Sequence, residues 1–349
     1  MNFFVSGRLC LFGEHSDWAG EYRQINSKID PGYAIVVGTN QGVYARIIIN
    51  NTHLVFKTLH SPQILELPME KSLLLGMAQT NSFYSYVAGV AYQALIRYQV
   101  GGLAIDNYQM DLPLKRGLSS SAAVSVLVAK AFNQLYDLGL SIIEEMELAY
   151  WGERTTRSQC GRLDQACAYG QQPILMSFDG DRYTTKLLTV AQNLHLIIVD
   201  LAAAKDTQKI LAQLNQCYPV ARNFTQTQVQ NYLGAINTDL VQRAVLALQQ
   251  GNALEIGALM NQAQAKFDRY VVPACPEQLN APILHQLLNY PPLQPYIYGG
   301  KGVGSQGDGT AQFIARDRDN QAQAIALIHR DFPQMQCYKL DIAPITKLK

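Results

Sequence analysis

The chain has 349 residues, 48% hydrophobic and 16% charged, with a formal net charge of +1. That is enough for two packed domains, each with its own core, and the dispersed charge offers no electrostatic footprint for nucleic acid or an anionic membrane. The longest uncharged stretch, residues 72–96, carries Gln, Thr, Asn and several Ser and is too polar to span a bilayer. The N-terminus has no basic leader and its apolar start is interrupted by Gly13-Glu14-His15, so it does not read as a signal peptide. The cysteines (Cys10, Cys160, Cys167, Cys217, Cys275, Cys337) are scattered without a C-x-x-C pair, which reads as reduced thiols in a cytoplasmic protein rather than a zinc site.

Taken in order, residues 3–5, 33–37, 43–49 and 54–57 are short β-prone runs separated by Gly, Asn and Pro. A helix is expected over about 83–98 and a strand over about 104–112. Ser119, Ser120 and Ser121 follow Gly117-Leu118 and open a strong helix, in which Val124, Leu127, Val128, Ala131, Phe132 and Leu135 recur at helical spacing and Gly139 is a stop signal. A further helix spans about 142–157. Residues 194–201 are a buried-type strand, followed by Gln-rich helical segments to about 288. A Gly-rich loop at 299–309 precedes a strand at 310–315, a helix at 320–329 and a last strand at 338–342. The expected domains are 1–190 and 191–349. Helices and strands mix without regular βαβ alternation, which favours α+β.

Four constellations carry chemistry. The first is the serine run: small residues let a backbone approach a ligand, and a following helix aims unpaired N–H groups at it. A Ser-rich helix cap is the simpler alternative. The run fits neither a Walker A loop nor a G-x-S-x-G elbow. The second is Glu14-His15-Ser16-Asp17 after Gly13 at the end of an apolar strand, which either lines a site or forms a solvated turn. The third is Glu153 on a helix and Asp164 after a short loop. There Asp164 could simply cap residues 165–169, with Arg154, Arg157 and Arg162 as surface charges. The fourth is 299–309, where Gly302, Gly304 and Gly307 match G-x-G-x-x-G. A strand follows where a helix should, so the dinucleotide reading fails on context, leaving a backbone-rich loop near a phosphate or a tight turn.

In order and spacing these segments resemble the galactokinase, homoserine kinase, mevalonate kinase and phosphomevalonate kinase superfamily (GHMP kinases), and most closely its galactokinase-like sugar kinases. Gly7-Arg8 and Gly13-Glu14-His15-Ser16-Asp17 match the first galactokinase motif. Pro113 to Ala122 matches Pro-x-x-x-Gly-Leu-Ser-Ser-Ser-Ala. Glu153 with Cys160-Gly161-Arg162-Leu163-Asp164-Gln165 matches a third segment, and Gly302 to Gly309 loosely matches the C-terminal Gly-rich motif.

The resemblance implies an N-terminal domain like domain 2 of ribosomal protein S5 and a ferredoxin-like C-terminal domain, with ATP and substrate meeting between them. It also implies that the backbone of Gly117, Leu118, Ser119, Ser120, Ser121 and Ala122 holds the phosphates. Ser120 or Ser121 would bind Mg²⁺ together with Glu153. Asp164 would take or orient the acceptor proton, and Arg8 would help neutralise the transferring phosphoryl group. Glu14, His15 and Asp17 would bind sugar hydroxyls, since each carboxylate accepts from two of them. The expected activity is an ATP-dependent sugar kinase giving a sugar 1-phosphate, as a monomer or homodimer without nucleic-acid or membrane partners. A mevalonate- or homoserine-type kinase and a non-catalytic sugar- and ATP-binding regulator are the alternatives.

Three departures from the galactokinase pattern stand out, the first two of which bear on the acceptor. The 153–164 segment is one residue shorter than in galactokinases. Leu201-Ala202-Ala203-Ala204-Lys205-Asp206-Thr207 stands where galactokinases carry a Ser-rich loop with a sugar-contacting Tyr. Ser305-Gln306 and Asp308 replace glycines. Lys205 is either a partner for an acidic sugar such as glucuronate or a solvated loop lysine.

Overall fold

A computed structural model describes residues 1–112, 119–158 and 160–344. Its strands are β1 Asn2–Phe12, β2 Gly32–Asn50, β3 His53–Thr58, β4 Ser61–Pro68, β5 Gly102–Met110, β6 Ile174–Asp179, β7 Arg182–Leu187, β8 Leu194–Asp200, β9 Ile297–Gly302, β10 Thr310–Ala315 and β11 Gln336–Ile342. The helices are α1 Ser16–Glu21, α2 Lys71–Ala78, α3 Tyr84–Arg97, α4 Ser120–Leu135, α5 Ile142–Arg154, α6 Thr207–Asn215, α7 Phe224–Asn231, α8 Asn237–Gln250, α9 Ala253–Tyr270, α10 Pro276–Leu279, α11 Pro282–Leu288 and α12 Arg318–Asp331. By its contacts the chain divides into a first unit, Met1–Arg8 with Val37–Gln171, and a second, Leu9–Val36 with Gln172–Lys349. The α+β class expected from the element order is observed.

In the first unit β5 lies between β3, its parallel neighbour (Phe56↔Ile105), and β2, its antiparallel neighbour (Ile47↔Ile105), with β4 antiparallel on β3. The two β-prone runs at 33–37 and 43–49 prove to be one strand. Gly38 and Gly42 do not break it. A Cβ at Gly38 would fall on the Gly170 carbonyl and one at Gly42 on the Val5 carbonyl, so both glycines allow close approach of a neighbouring backbone. Helices α3, α4 and α5 pack on one another. α5 starts with a reciprocal Ser141–Glu144 capping box. α4 is more deeply set than its apolar stripe suggests, being buried without interruption from Ala122 to Ala129, as expected of a helix that is apolar on nearly every face.

In the second unit β6 pairs with the first part of β2 (Ala34↔Met176) and with β7. A separate antiparallel sheet has the order β11-β8-β10-β9. Numbered from its own first strand this is 4-1-3-2, the ferredoxin-like order, with α6 to α11 inserted between its first two strands. Ile197, Val199, Leu284, Leu287, Phe313 and Ile328 form its core. Helix α9 lies against β9 at Gly257 and Gly299, where a Cβ on either would strike the facing backbone. The first residues of the predicted 299–309 loop are thus strand: Gly299 serves helix–strand approach and Gly300 the close approach of β10.

Candidate functional site

In the first unit Ser119 occupies the N-cap position of α4 but does not cap it. Its backbone is left-handed (φ 54°, ψ 48°) and no side-chain cap bond forms, a conformation uncommon outside Gly that is kept where the surroundings impose it. The Ser119 hydroxyl instead donates to Asp164 Oδ1 at 2.8 Å. Asp164 does not cap the short helix Asp164–Tyr169 either, since the cap position belongs to Leu163. Its carboxylate pairs with the Arg8 guanidinium, brought in at the end of the unit's first segment. Arg8 is buried, and its Nε and Nη1 have no hydrogen-bond partner among the described residues. Buried donors of this kind are costly unless something satisfies them, so the arrangement suits an incoming oxyanion.

Glu153, on the last turn of α5, is fully buried. Burial raises its carboxyl pKa above the ordinary value, opposed by hydrogen bonds from Ser121, Gln165, Ser158 and Cys160. Gln165 Nε2 donates to Glu153 Oε2 at 2.9 Å, which joins this carboxylate to the segment bearing Asp164. Of the two serines left open by the sequence, Ser121 is the one that meets Glu153. Gly117 and Leu118 lie outside the described residues. Arg162 is no ordinary surface charge. Its Nε donates to Glu147 Oε1 at 2.8 Å and its guanidinium lies 4.3 Å from the Tyr150 ring centroid.

In the second unit Gly13, Glu14, His15 and Asp17 form a buried turn, not a solvated one. Gly13 (φ 93°) is required there because a Cβ would fall on the Tyr33 carbonyl, and His15 itself is left-handed (φ 69°). Asp17 is buried in α1. Glu14 forms a buried ion pair with Lys301 of β9, a partner that sequence reasoning missed inside the glycine run. Lys301 Nζ also donates to the Gly302 carbonyl at 2.8 Å. Lys205 is not a solvated loop lysine, since its ammonium donates to the Gln306 carbonyl at 2.8 Å. Burial lowers its pKa to about 8, with Glu14 acting in the opposite direction.

His15 accepts a hydrogen bond from Trp18 Nε1 at its Nδ1 (3.2 Å), which puts the proton of the neutral ring on Nε2. Nε2 faces the Ser305 backbone without a hydrogen bond of normal geometry. Burial first, then Lys205 and Lys301, push the His15 pKa from its ordinary 6.5 down to about 4, with the Ser305 backbone partly offsetting them. Between these values the unfolded chain binds the extra proton and the folded one does not, so stability falls on acidification from about pH 6.5 towards 4. About 2 kcal/mol of the loss between pH 7 and 5 is assigned to this ring, taking ~1.4 kcal/mol per pKa unit. In urea titrations at the two pH values, His15→Gln should shrink the acid-induced loss by that amount. An unchanged loss would refute the assignment.

Residues 85–171 match the model of the GHMP kinases N terminal domain. The galactokinase of Thermococcus kodakarensis is 30% identical over 202 residues, 57% of this chain and 52% of that protein, so the aligned stretch spans about half its length. The galactokinase of Mannheimia succiniciproducens is 25% identical over 305 residues, 75% of this chain and 73% of that protein. Among solved structures, Lactococcus lactis galactokinase complexed with galactose superposes with a TM-score of 0.74 at 17% identity, covering 99% of this chain and 95% of that one. L. major mevalonate kinase in complex with R-mevalonate superposes with a TM-score of 0.71 at 19% identity, covering 99% and 96%. At these identities the structural likeness establishes the fold. Among the described residues no helix is long and apolar enough to cross a membrane.

Proposed function

We propose that this chain, a galactokinase-like GHMP kinase by its N-terminal domain and its fold, transfers the γ-phosphoryl group of ATP to a sugar hydroxyl, the anomeric one, giving a sugar 1-phosphate. The observation that carries this reading is the Arg8–Asp164–Ser119 arrangement joined through Gln165 to Glu153. In phosphoryl transfer the acceptor oxygen bonds to the γ-phosphorus as the bond to the β-phosphate oxygen breaks, ADP leaves, and the acceptor proton needs a base or an orienting group. Asp164 fills that role, its Oδ1 held by both Ser119 and Arg8. The unpartnered N–H groups of Arg8 suit the oxygens of the transferring group.

Ser119, Ser120, Ser121 and Ala122, at the start of α4, supply the nucleotide side. A lone buried carboxylate and a hydroxyl fit Mg²⁺, which is held by one or two carboxylates together with substrate phosphates. Glu153 and Ser121 would hold it, and when bound it neutralises phosphate charge. Ser120, at the first position of the same helix, is then left to the nucleotide. Glu14, His15 and Asp17 supply the acceptor side. A coupled ADP-release assay over neutral sugars, uronic acids and mevalonate is expected to show turnover with a sugar, an acid-labile phosphate on the product, and none above background with mevalonate. ATP binding without turnover on any acceptor would replace this reading with that of a non-catalytic binding protein. Turnover on mevalonate alone would replace the sugar.

A further inference from the structure

We infer that the acceptor carries a negatively charged group, a carboxylate or a phosphate on a sugar ring, seated against Lys205 in the cluster that Lys205 forms with Glu14, His15 and Lys301. The inference rests on the kinase reading above and narrows its acceptor.

Charge accounting within the second unit leads to it. Two ammonium groups face one carboxylate. Glu14 is engaged by Lys301, whose side chain is almost wholly buried and whose remaining bond goes to the Gly302 carbonyl. Lys205 is left with the neutral carbonyl of Gln306 as its hydrogen-bond acceptor, at 2.8 Å. The carboxylate acting on Lys205 is Glu14, and that charge is already shared. His15, held neutral, adds no negative charge, and its Nε2–H is a second donor lacking a well-aligned acceptor.

The position of Lys205 is also built. A Cβ at Gly309 would lie 2.6 Å from Lys205 Cε and 2.8 Å from its Nζ, so glycine there leaves room for the end of the lysine side chain where it now lies. A partly desolvated ammonium without its own carboxylate is an unfavourable state that an anion relieves and a neutral hydroxyl relieves only in part. Burial depresses the Lys205 pKa for the same reason, and a bound anion would raise it again.

The test compares kcat/KM and, separately, equilibrium binding by titration calorimetry for glucose, galactose, glucuronate, galacturonate, glucose 6-phosphate and galactose 6-phosphate. A charged sugar is expected to exceed its neutral parent by about tenfold or more, the worth of one charge-assisted hydrogen bond, and the better class identifies carboxylate or phosphate. Lys205→Met should collapse that ratio to near one, and Lys205→Arg should retain most of it. Circular dichroism and a melting curve establish that the variants are folded. Equal or better use of the neutral sugars by the parent protein overturns the inference, as does an unchanged ratio in a folded Lys205→Met. The calorimetry separates the two readings. Charge-selective binding without any ADP release rejects the kinase and leaves the anion site standing, whereas turnover that favours neutral sugars does the reverse.

Discussion

Asp164→Asn is expected to lower kcat by about 10²–10⁴-fold, the usual worth of a positioned acid–base group, while ATP affinity changes by no more than a few fold. The substitution keeps the size of the side chain and an oxygen for the Ser119 hydroxyl, so the segment stays in place. It removes the negative charge opposite Arg8 and, on the proposed reading, the oxygen that takes or orients the acceptor proton. Asp164→Ala should lose at least as much activity and also lower stability. It deletes every partner atom that the segment offers to a buried guanidinium whose Nε and Nη1 already lack partners, and an uncompensated buried charge costs about 3–5 kcal/mol. Single-turnover kinetics with saturating ATP and acceptor, together with titration of a non-hydrolysable ATP analogue, separate chemistry from binding. If Asp164→Asn kept kcat within threefold of the parent, Asp164 would be a structural partner of Arg8 and the reactive carboxylate would have to be sought elsewhere.

Much of this arrangement was legible because local chemistry and chain order coincide. Ser119 and Asp164 belong to short motifs whose residue types are unusual together, and the apolar spacing of residues 124–135 marks α4 directly. What was not legible has particular causes. The Glu14–Lys301 pair joins residues 287 positions apart, and a lysine amid glycines carries no sign of its partner. Gly38 and Gly42 look like turn residues, yet they sit in mid-strand because neighbouring carbonyls occupy the space of their side chains. The hairpin of β6 and β7 turns on Gly180-Asp181, between the paired Asp179 and Arg182; a Gly at the first loop position, here with φ 66°, is a turn signal that the β-prone runs alone do not bring out. The six-residue α1 is too short for any periodicity to register. The Ser119 cap position was readable, whereas the diversion of its hydroxyl to Asp164 was not, because that depends on a left-handed backbone which the sequence does not announce.

The Glu14–Lys301 pair carries the other large effect. Glu14→Gln is expected to destabilise the second unit by about 3–5 kcal/mol, because removing one partner of a buried pair strands the other charge. Lys301 is 2% exposed at its side chain, and after the substitution it retains only the Gly302 carbonyl and a neutral amide. The loss should therefore come from Lys301 rather than from the missing carboxylate, and a second change tests that directly. Lys301→Met keeps the length and apolar character of the stem and removes the stranded ammonium, so Glu14→Gln with Lys301→Met should recover most of the stability lost by Glu14→Gln alone. Trp18 belongs to the second unit and Trp151 to the first. Urea unfolding followed by fluorescence in a Trp151→Phe background therefore reads the relevant unit. A loss below about 1 kcal/mol for the single variant, or a double variant no better than the single, would show that the ammonium finds water or another acceptor and that the pair is not what holds β9 to the Glu14 turn. If the recovery is seen, the pair is dispensable for folding. On the proposed reading its role then lies in the site: Glu14 and Lys301 would fix each other's orientation on the acceptor side, and that, more than stability, is what an apolar replacement cannot supply.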